Sequence, residues 1–186
     1  IEYLYLRKEG QNIRYRGRHI AISSCVQKRL KSVNIDSEFI PICPTEIKKN
    51  VQPKGNCVYF YGKGKNYGEE LVPEIQKRIP YKIIKTLPNS FSNEELQEVY
   101  KKCFIGLRLT PQDGLSNTVV ELGLMGRKVV YNCNPLPNAI QYSNIDSIVK
   151  SINEEYQKKK DNSESIANDM VTYFEKYYDH WLYVST

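Results

Sequence analysis

The sequence predicts an α/β fold, a parallel sheet with helices on both of its faces. Three observations carry this. Short apolar runs alternate along the chain with segments whose apolar residues recur at helical spacing. Residues 103–132, CFIGLRLTPQDGLSNTVVELGLMGRKVVYN, read as one complete βαβ unit. Its strands should be parallel and joined by a right-handed crossover. The turn-makers fall between strands and helices, where such a unit needs them.

The first part of the chain is the least regular. Residues 3–6 suit a strand or a helix end, and Arg14, Arg16 and Arg18 alternate around Tyr15 and Gly17. A solvated loop is the better reading of those arginines, although such a cluster also suits a phosphate or an acidic surface. Residues 19–24 form a compact strand. Ser23 or Ser24 then caps a helix to about Val33, with Val26, Leu30 and Val33 on one face. Residues 37–42 are a further strand, stopped by Pro41 and Pro44, and residues 45–56 are a polar linker with Pro53 and Gly55. Residues 57–61, CVYFY, are a clear strand. Gly62-Lys-Gly-Lys-Asn-Tyr-Gly follows, then a helix from about Glu69 to Arg78. A glycine-rich turn at this place brings backbone N–H groups close to phosphate, and Lys63 and Lys65 add charge. It has neither P-loop nor G-x-G-x-x-G spacing, so alone it reads equally well as a surface turn.

Residues 81–87 are the next strand. Ser92 caps the helix after it, with Glu95 at the capping-box position and Leu96, Val99 and Tyr100 on the buried side. In the central unit, residues 103–109 form a strand. Residues 116–125 form a helix with Val119, Val120, Leu122, Leu124 and Met125 on its apolar side, and residues 128–131 form a strand entered through Gly126. Residues 133–144 are an irregular loop. Residues 145–160 are a helix with a basic end, as the helix dipole prefers. Asn162 and Ser163 break it. A last amphipathic helix spans residues 165–183 and carries Phe174, Tyr177, Tyr178 and Trp181.

The chemistry concentrates in the loop Thr110-Pro-Gln-Asp-Gly-Leu-Ser-Asn of the central unit. Pro111 and Gly114 make the turn, and Ser116 or Asn117 is a good N-cap. The loop leaves the carboxyl end of a strand and enters a helix N-terminus, where open α/β sheets bind ligands and free N–H groups favour an anion. Seven residues separate Asp113 from Glu121, which lies one turn into the helix. A carboxylate there suits a sugar or ribose diol, because it accepts two hydrogen bonds. Arg108, near the strand end, suits either Asp113 or a phosphate. Asn117 and Thr118 read as simple caps, which leaves their backbone N–H groups available to phosphate.

The stretch DGLSNTVVELGLMGRKVV resembles the acidic-x7-Glu donor-site motif of retaining glycosyltransferases with the two-domain GT-B fold, the group 1 or family 4-like enzymes. Asp113 stands where the motif commonly has Glu, and Leu115 follows Gly114. The clear resemblance covers roughly residues 57–150, and residues 19–44 are similar to the family's interdomain bridge. It implies a Rossmann-like sheet, the donor half of a GT-B fold. Residues 1–44 would lead from a missing or reduced N-terminal acceptor domain, residues 57–150 would form the donor-binding core, and the C-terminal helix at 163–185 would cross back or pack on the sheet. The implied reaction is transfer of a sugar from a nucleotide-sugar to a glycan or other hydroxyl acceptor, with retention. No metal or other cofactor is implied. Glu121 would hold the ribose, and Asp113 with the backbone of Gly114, Leu115 and Ser116 would hold the sugar. The departing diphosphate would lie against Ser116, Asn117 and Thr118, with Gly62, Lys63, Lys65 or Arg108 nearby. The nucleobase would sit against residues 85–88. A catalytic base would come from the other domain.

Composition is compatible and selects little. The chain has 186 residues, 40% of them hydrophobic and 26% charged, with net charge +6. The charge admits a nucleotide diphosphate, an acidic membrane or nucleic acid. No reading helix or aromatic-basic ladder is visible, so nucleic acid is not the expected partner. Cys25, Cys43, Cys57, Cys103 and Cys133 form no C-x-x-C pair, and with two histidines a metal site is not expected. The cysteines read best as small buried hydrophobes in a reducing compartment. With no leader and no long apolar span, a cytoplasmic location is expected, and a start at Ile1 is expected of a piece of a longer polypeptide. Two other readings stay open: a non-catalytic nucleotide or nucleotide-sugar binding module, and a nucleotide-sugar epimerase or hydrolase of the same fold, which would need more acidic and histidine residues.

Overall fold

The computed structural model describes residues 19–41, 47–62, 64–87, 91–158 and 161–182. The strand candidate at 3–6, the three N-terminal arginines, Cys43, Lys63 and Pro88 lie outside the described residues. In chain order the elements are β1 (Ile20–Ala21), α1 (Ser24–Lys31), β2 (Glu38–Phe39), β3 (Cys57–Tyr61), 3₁₀ turns at Lys65–Tyr67 and Glu69–Leu71, α2 (Val72–Arg78), β4 (Ile83–Thr86), α3 (Asn93–Lys101), β5 (Cys103–Arg108), α4 (Asn117–Leu124), β6 (Lys128–Tyr131), β7 (Ala139–Ile140), α5 (Ile145–Gln157) and α6 (Ser163–Leu182).

The strands β3 to β7 form one sheet in the order β4–β3–β5–β6–β7, and each neighbouring pair is parallel. β1 and β2 pair separately, also in parallel. The strands alternate with the period of the pleat. Val58, Phe60 and Val130 face one layer, together with Ile75 of α2 and Ile148 and Ile152 of α5. Tyr59, Val129 and Tyr131 face the other, against Val99 and Tyr100 of α3, Val119 and Leu122 of α4, and Met170 and Phe174 of α6. Both faces are covered, as an all-parallel sheet requires. At Gly106 of β5 an added Cβ would lie 2.6 Å from Leu122 Cδ1. A side chain here would have to displace the end of Leu122, so glycine lets α4 settle closely on the sheet.

Several elements differ from the sequence reading. The loop at 133–144 contains β7, which pairs Ala139 with Val129 and Ile140 with Val130. Two residues are too few to show a period. What holds them is Asn138, whose side-chain amide donates to the carbonyls of Val119 (2.8 Å) and Arg127 (3.2 Å). The helix expected from Glu69 is a 3₁₀ turn followed by α2, because Pro73 sits in the first α-turn and lacks the N–H to continue an earlier one. α5 stops at Gln157, without the basic last turn expected of it. The break between the two last helices falls before Ser163, where α6 starts, two residues ahead of the 165 read from its apolar period, since Asp161 accepts from the Ser163 N–H at 2.9 Å. The capping box at Ser92 and Glu95 forms as read.

One buried cation fastens the layers at the sheet's amino edge. Arg127 is fully buried. Its guanidinium donates to the carbonyls of Cys103 (2.9 Å), Gln52 (3.0 Å) and Pro53 (2.7 Å), and to Met125 O and Ser163 Oγ. The linker, β5, the turn before β6 and the start of α6 thus meet at one side chain.

Candidate functional site

β3 and β5 are neighbours, yet β3 leads to α2 on one face and β5 leads to α4 on the other. A parallel sheet opens a crevice at such a reversal, outside the carboxyl ends of the two strands. The loops there are, in their described residues, 62 with 64–68, and 109–116. They touch where an added Cβ on Gly68 would lie 2.6 Å from Leu109 Cβ, and Gly68 has the positive φ of 71° that disfavours other residues.

Arg108, the last residue of β5, joins the two loops. Its Nε donates to Asp113 Oδ2 at 2.8 Å, with the two side chains 9% and 14% exposed. Its guanidinium carbon lies 4.7 Å from the Tyr61 ring centre and 4.8 Å from that of Tyr67, a cation held between two π-faces. Burial works against the charge, but the hydrogen bond and charge of Asp113 more than offset it, so the Arg108 pKa stands above its ordinary value. Its Nη1 is buried without a hydrogen-bond partner. Of the two roles open for Arg108 from the sequence, the structure forms the pair with Asp113.

The rest of the loop is pinned from behind. Gly114 O accepts from Tyr131 Oη at 3.0 Å and from Asn134 Nδ2 at 2.8 Å, and Asp113 O accepts from Ser23 Oγ at 3.4 Å. Leu115 packs against the core. In front, nothing lies within 4 Å of a Cβ built on Gly114. Ser116 takes the N-cap position of α4, but its hydroxyl makes no capping bond. Asn117 beside it is exposed, while Thr118 turns inward. Uncapped first-turn N–H groups leave the positive end of the helix dipole open to an anion.

Glu121 sits one turn along α4, where Tyr100 Oη donates to Oε2 at 2.9 Å. Burial pushes the Glu121 carboxyl above its ordinary range, and the Tyr100 bond pulls it part of the way back. Tyr100 is itself held edge-on by Tyr59 at 5.0 Å, and Tyr59 shares a 2.6 Å hydrogen bond with Thr86 at the end of β4. Burial raises the Tyr100 hydroxyl pKa far above neutrality, so it remains a donor.

The loop at 62–68 is less prepared. Gly62 N–H donates to Thr86 O at 3.3 Å. Gly64 N–H donates to the Glu69 carboxylate, which also pairs with Lys85. Lys65 is exposed at the head of its 3₁₀ turn, and Lys63 is outside the described residues. Lys85 therefore meets Glu69 at the position where the resemblance implied the nucleobase.

The structure thus gathers Arg108 at the end of β5 with Asp113, Gly114, Leu115, Ser116, Asn117, Thr118 and Glu121 on the loop and helix that follow, and Gly62 and Lys65 on the adjoining loop. Sequence reading missed Tyr61, Tyr67, Ser23 and Asn134. Each acts through a contact distant in sequence, and no local pattern marks it. Tyr100 was read as core, and its hydroxyl adds a polar role. The cavity of about 310 Å³ beside Lys54, Phe104, Glu155 and Tyr156 is at the opposite edge of the sheet. Among the described residues no cluster of His, Cys, Asp and Glu could hold a metal, and no helix is long and apolar enough to cross a membrane.

No protein-family model and no curated protein matches the sequence. Solved structures match the fold. The TarM structure superposes with TM-score 0.61 at 13% identity, over 88% of this chain and 42% of that one. The GtfA/B complex gives 0.57 at 10% identity, over 88% and 44%. A sucrose-phosphate synthase from Thermosynechococcus elongatus gives 0.59 at 11% identity, over 90% and 58%. The chain spans about half the length of these structures. At such identities the likeness is one of architecture, and these neighbours are GT-B glycosyltransferases. The chain has the α/β fold of a GT-B glycosyltransferase domain.

Proposed function

We propose that this chain is the donor-binding part of a glycosyltransferase, which holds a nucleotide-sugar for transfer of its sugar to an acceptor hydroxyl. The observation that carries the reading is the pairing of an uncapped α4 N-terminus with the half-buried Glu121 carboxylate, at the carboxyl edge where the sheet reverses. In this reading the diphosphate lies over Ser116, Asn117 and Thr118, and Glu121 accepts from the ribose diol. The developing charge on the leaving diphosphate is met by backbone N–H groups already aimed at it, with Lys65 in the adjoining loop. Asp113, neutralised by Arg108, shapes the sugar end of the loop rather than presenting a free charge. The acceptor and any base come from a second domain. Retention follows from the motif resemblance.

The test is thermal-shift and calorimetric titration of the chain with nucleotide diphosphates and nucleotide-sugars. A ligand at a hundred times its Kd stabilises the native state by about 2.7 kcal/mol. A selective rise with one nucleotide, lost in Glu121→Ala while the circular dichroism spectrum is kept, is expected. Equal binding by Glu121→Ala would refute the placement of the ribose. No rise with any nucleotide, in this chain or the full-length protein, would refute the donor site.

A further inference from the structure

The thiols of Cys25 and Cys133 are brought together beside the candidate site although 107 residues separate them in the chain. Cys25 lies in the first turn of α1 and is partly exposed, and Cys133 follows β6 and is 4% exposed. Cys25 Sγ donates to Cys133 O at 3.2 Å, and Cys133 Sγ donates to Thr110 O at 3.5 Å. The two backbones are already fastened at this point. Ser24 Oγ donates to Cys133 O at 2.6 Å, and Ser24 N–H donates to Asn134 Oδ1 at 2.8 Å. No disulfide joins them in the structure.

We propose that Cys25 and Cys133 are a redox-modification site, a thiol pair that a hydroperoxide closes to a disulfide between α1 and the chain segment after β6. The two thiols play different parts. Burial pushes the Cys133 thiol up to about 12, so it is a poor first nucleophile at neutral pH, and the more exposed Cys25 meets the oxidant. The Cys25 thiolate attacks one peroxide oxygen. An S–O bond forms, the O–O bond breaks, and the leaving hydroxide or alkoxide takes a proton. Cys133 sulfur then attacks the Cys25 sulfenic sulfur. The S–S bond forms, the S–O bond breaks, and hydroxide leaves with the Cys133 proton as water. The two thiols lose two electrons and the peroxide gains them. Cys25 Sγ already lies 3.2 Å from the Cys133 carbonyl oxygen, and this proximity compensates for the small thiolate fraction of Cys133. Cys57 and Cys103 are register partners across β3 and β5, but the Cys57 sulfur turns to its own neighbour Asn56 and the Cys103 sulfur to the carbonyl of Val99, neither toward the other cysteine's residue, whereas Cys25 Sγ bonds Cys133 itself.

The site does not depend on the nucleotide reading, and its test does not use nucleotide. The chain is treated with hydrogen peroxide, alkylated, digested without reductant and mapped by mass spectrometry. The expected result is a Cys25–Cys133 linked peptide, a loss of two free thiols, and a rise in Tm of several degrees that dithiothreitol reverses. Cys133→Ser should leave Cys25 as a sulfenic acid that dimedone labels, and Cys25→Ser should leave Cys133 unoxidised. Thiols that stay free at peroxide levels that oxidise cysteine in the same tube would overturn the proposal. So would links that join other cysteines of the wild-type chain, or oxidation of Cys25 beyond sulfenic acid with no link formed.

Discussion

Glu121→Gln separates a binding carboxylate from a structural one. The residue is half-buried, and its one described hydrogen bond comes from Tyr100 at 2.9 Å. Glutamine keeps the shape and accepts the same bond through Oε1, so no donor is stranded. What is removed is the charge, whose burial raises the carboxyl pKa. A carboxyl with a folded-state pKa above its unfolded value binds its proton more tightly when folded. Its contribution to stability is full below the ordinary value of 4.5 and is lost as pH rises through the folded value. At neutral pH the ionised Glu121 therefore costs stability, and Glu121→Gln should be the more stable protein. A retained hydrogen bond and a relieved desolvation cost together suggest a gain of about 1 kcal/mol, or roughly 2–4 °C in Tm for a domain of this size. The gain should shrink toward zero below pH 4.5. Nucleotide binding should move the other way. Loss of charge-assisted hydrogen bonds to a diol costs about 1.5–3 kcal/mol, or roughly 10- to 150-fold in Kd. Melting at several pH values and calorimetry with the nucleotide found by titration read both. A variant less stable at neutral pH, or a gain that grows on acidification, would refute the electrostatic account. Unchanged affinity would refute the ribose role.

Three further outcomes follow from the described contacts. Arg108→Met and Asp113→Asn, with the double variant, should give a coupling of about 1–3 kcal/mol in urea unfolding, because both groups are mostly buried and each leaves the other unpaired; a coupling below about 0.5 kcal/mol would count against the pair. Arg127→Met should cost about 3–4 kcal/mol, since several buried carbonyls lose their donor and a methionine cannot replace it; a loss under about 1 kcal/mol would mean that water or neighbours take over those acceptors. Ser92→Ala should cost about 1 kcal/mol by removing the N-cap of α3, which equilibrium denaturation would detect with no change in nucleotide affinity.

Much of this protein was legible without coordinates. The runs CVYFY and KVVY are β-branched and aromatic, and they became buried strands. The Ser92 capping box and the apolar period of Val119, Val120 and Leu122 are local signals, and the helices they mark formed. Because the 109–116 loop follows one strand and enters a helix, the βαβ order placed it at the carboxyl edge, and with it Asp113 through Thr118 and Glu121. β7 escaped because two residues have no period, and the last helix starts at Ser163, two residues before the expected 165, because Asp161 accepts from the Ser163 N–H there. The partners of the site residues escaped for another reason. Tyr61, Tyr67, Ser23 and Asn134 have ordinary roles in their own segments, and none is marked by its neighbours in sequence.

The sequence by itself determined most element types, the parallel pairing of the strands and the loop that carries the acidic pair, since these depend on backbone preference and on periodicities of two and 3.6 residues, while the strand order came only with the structure. Only the tertiary structure decided the charge state of that loop. Whether Arg108 met Asp113 or stayed free, whether Glu121 was desolvated, and whether Cys25 reached Cys133 all depend on which side chains converge across strands and layers. Electrostatics and thiol chemistry act over a few ångströms of space, and in this fold those ångströms separate residues that lie far apart along the chain.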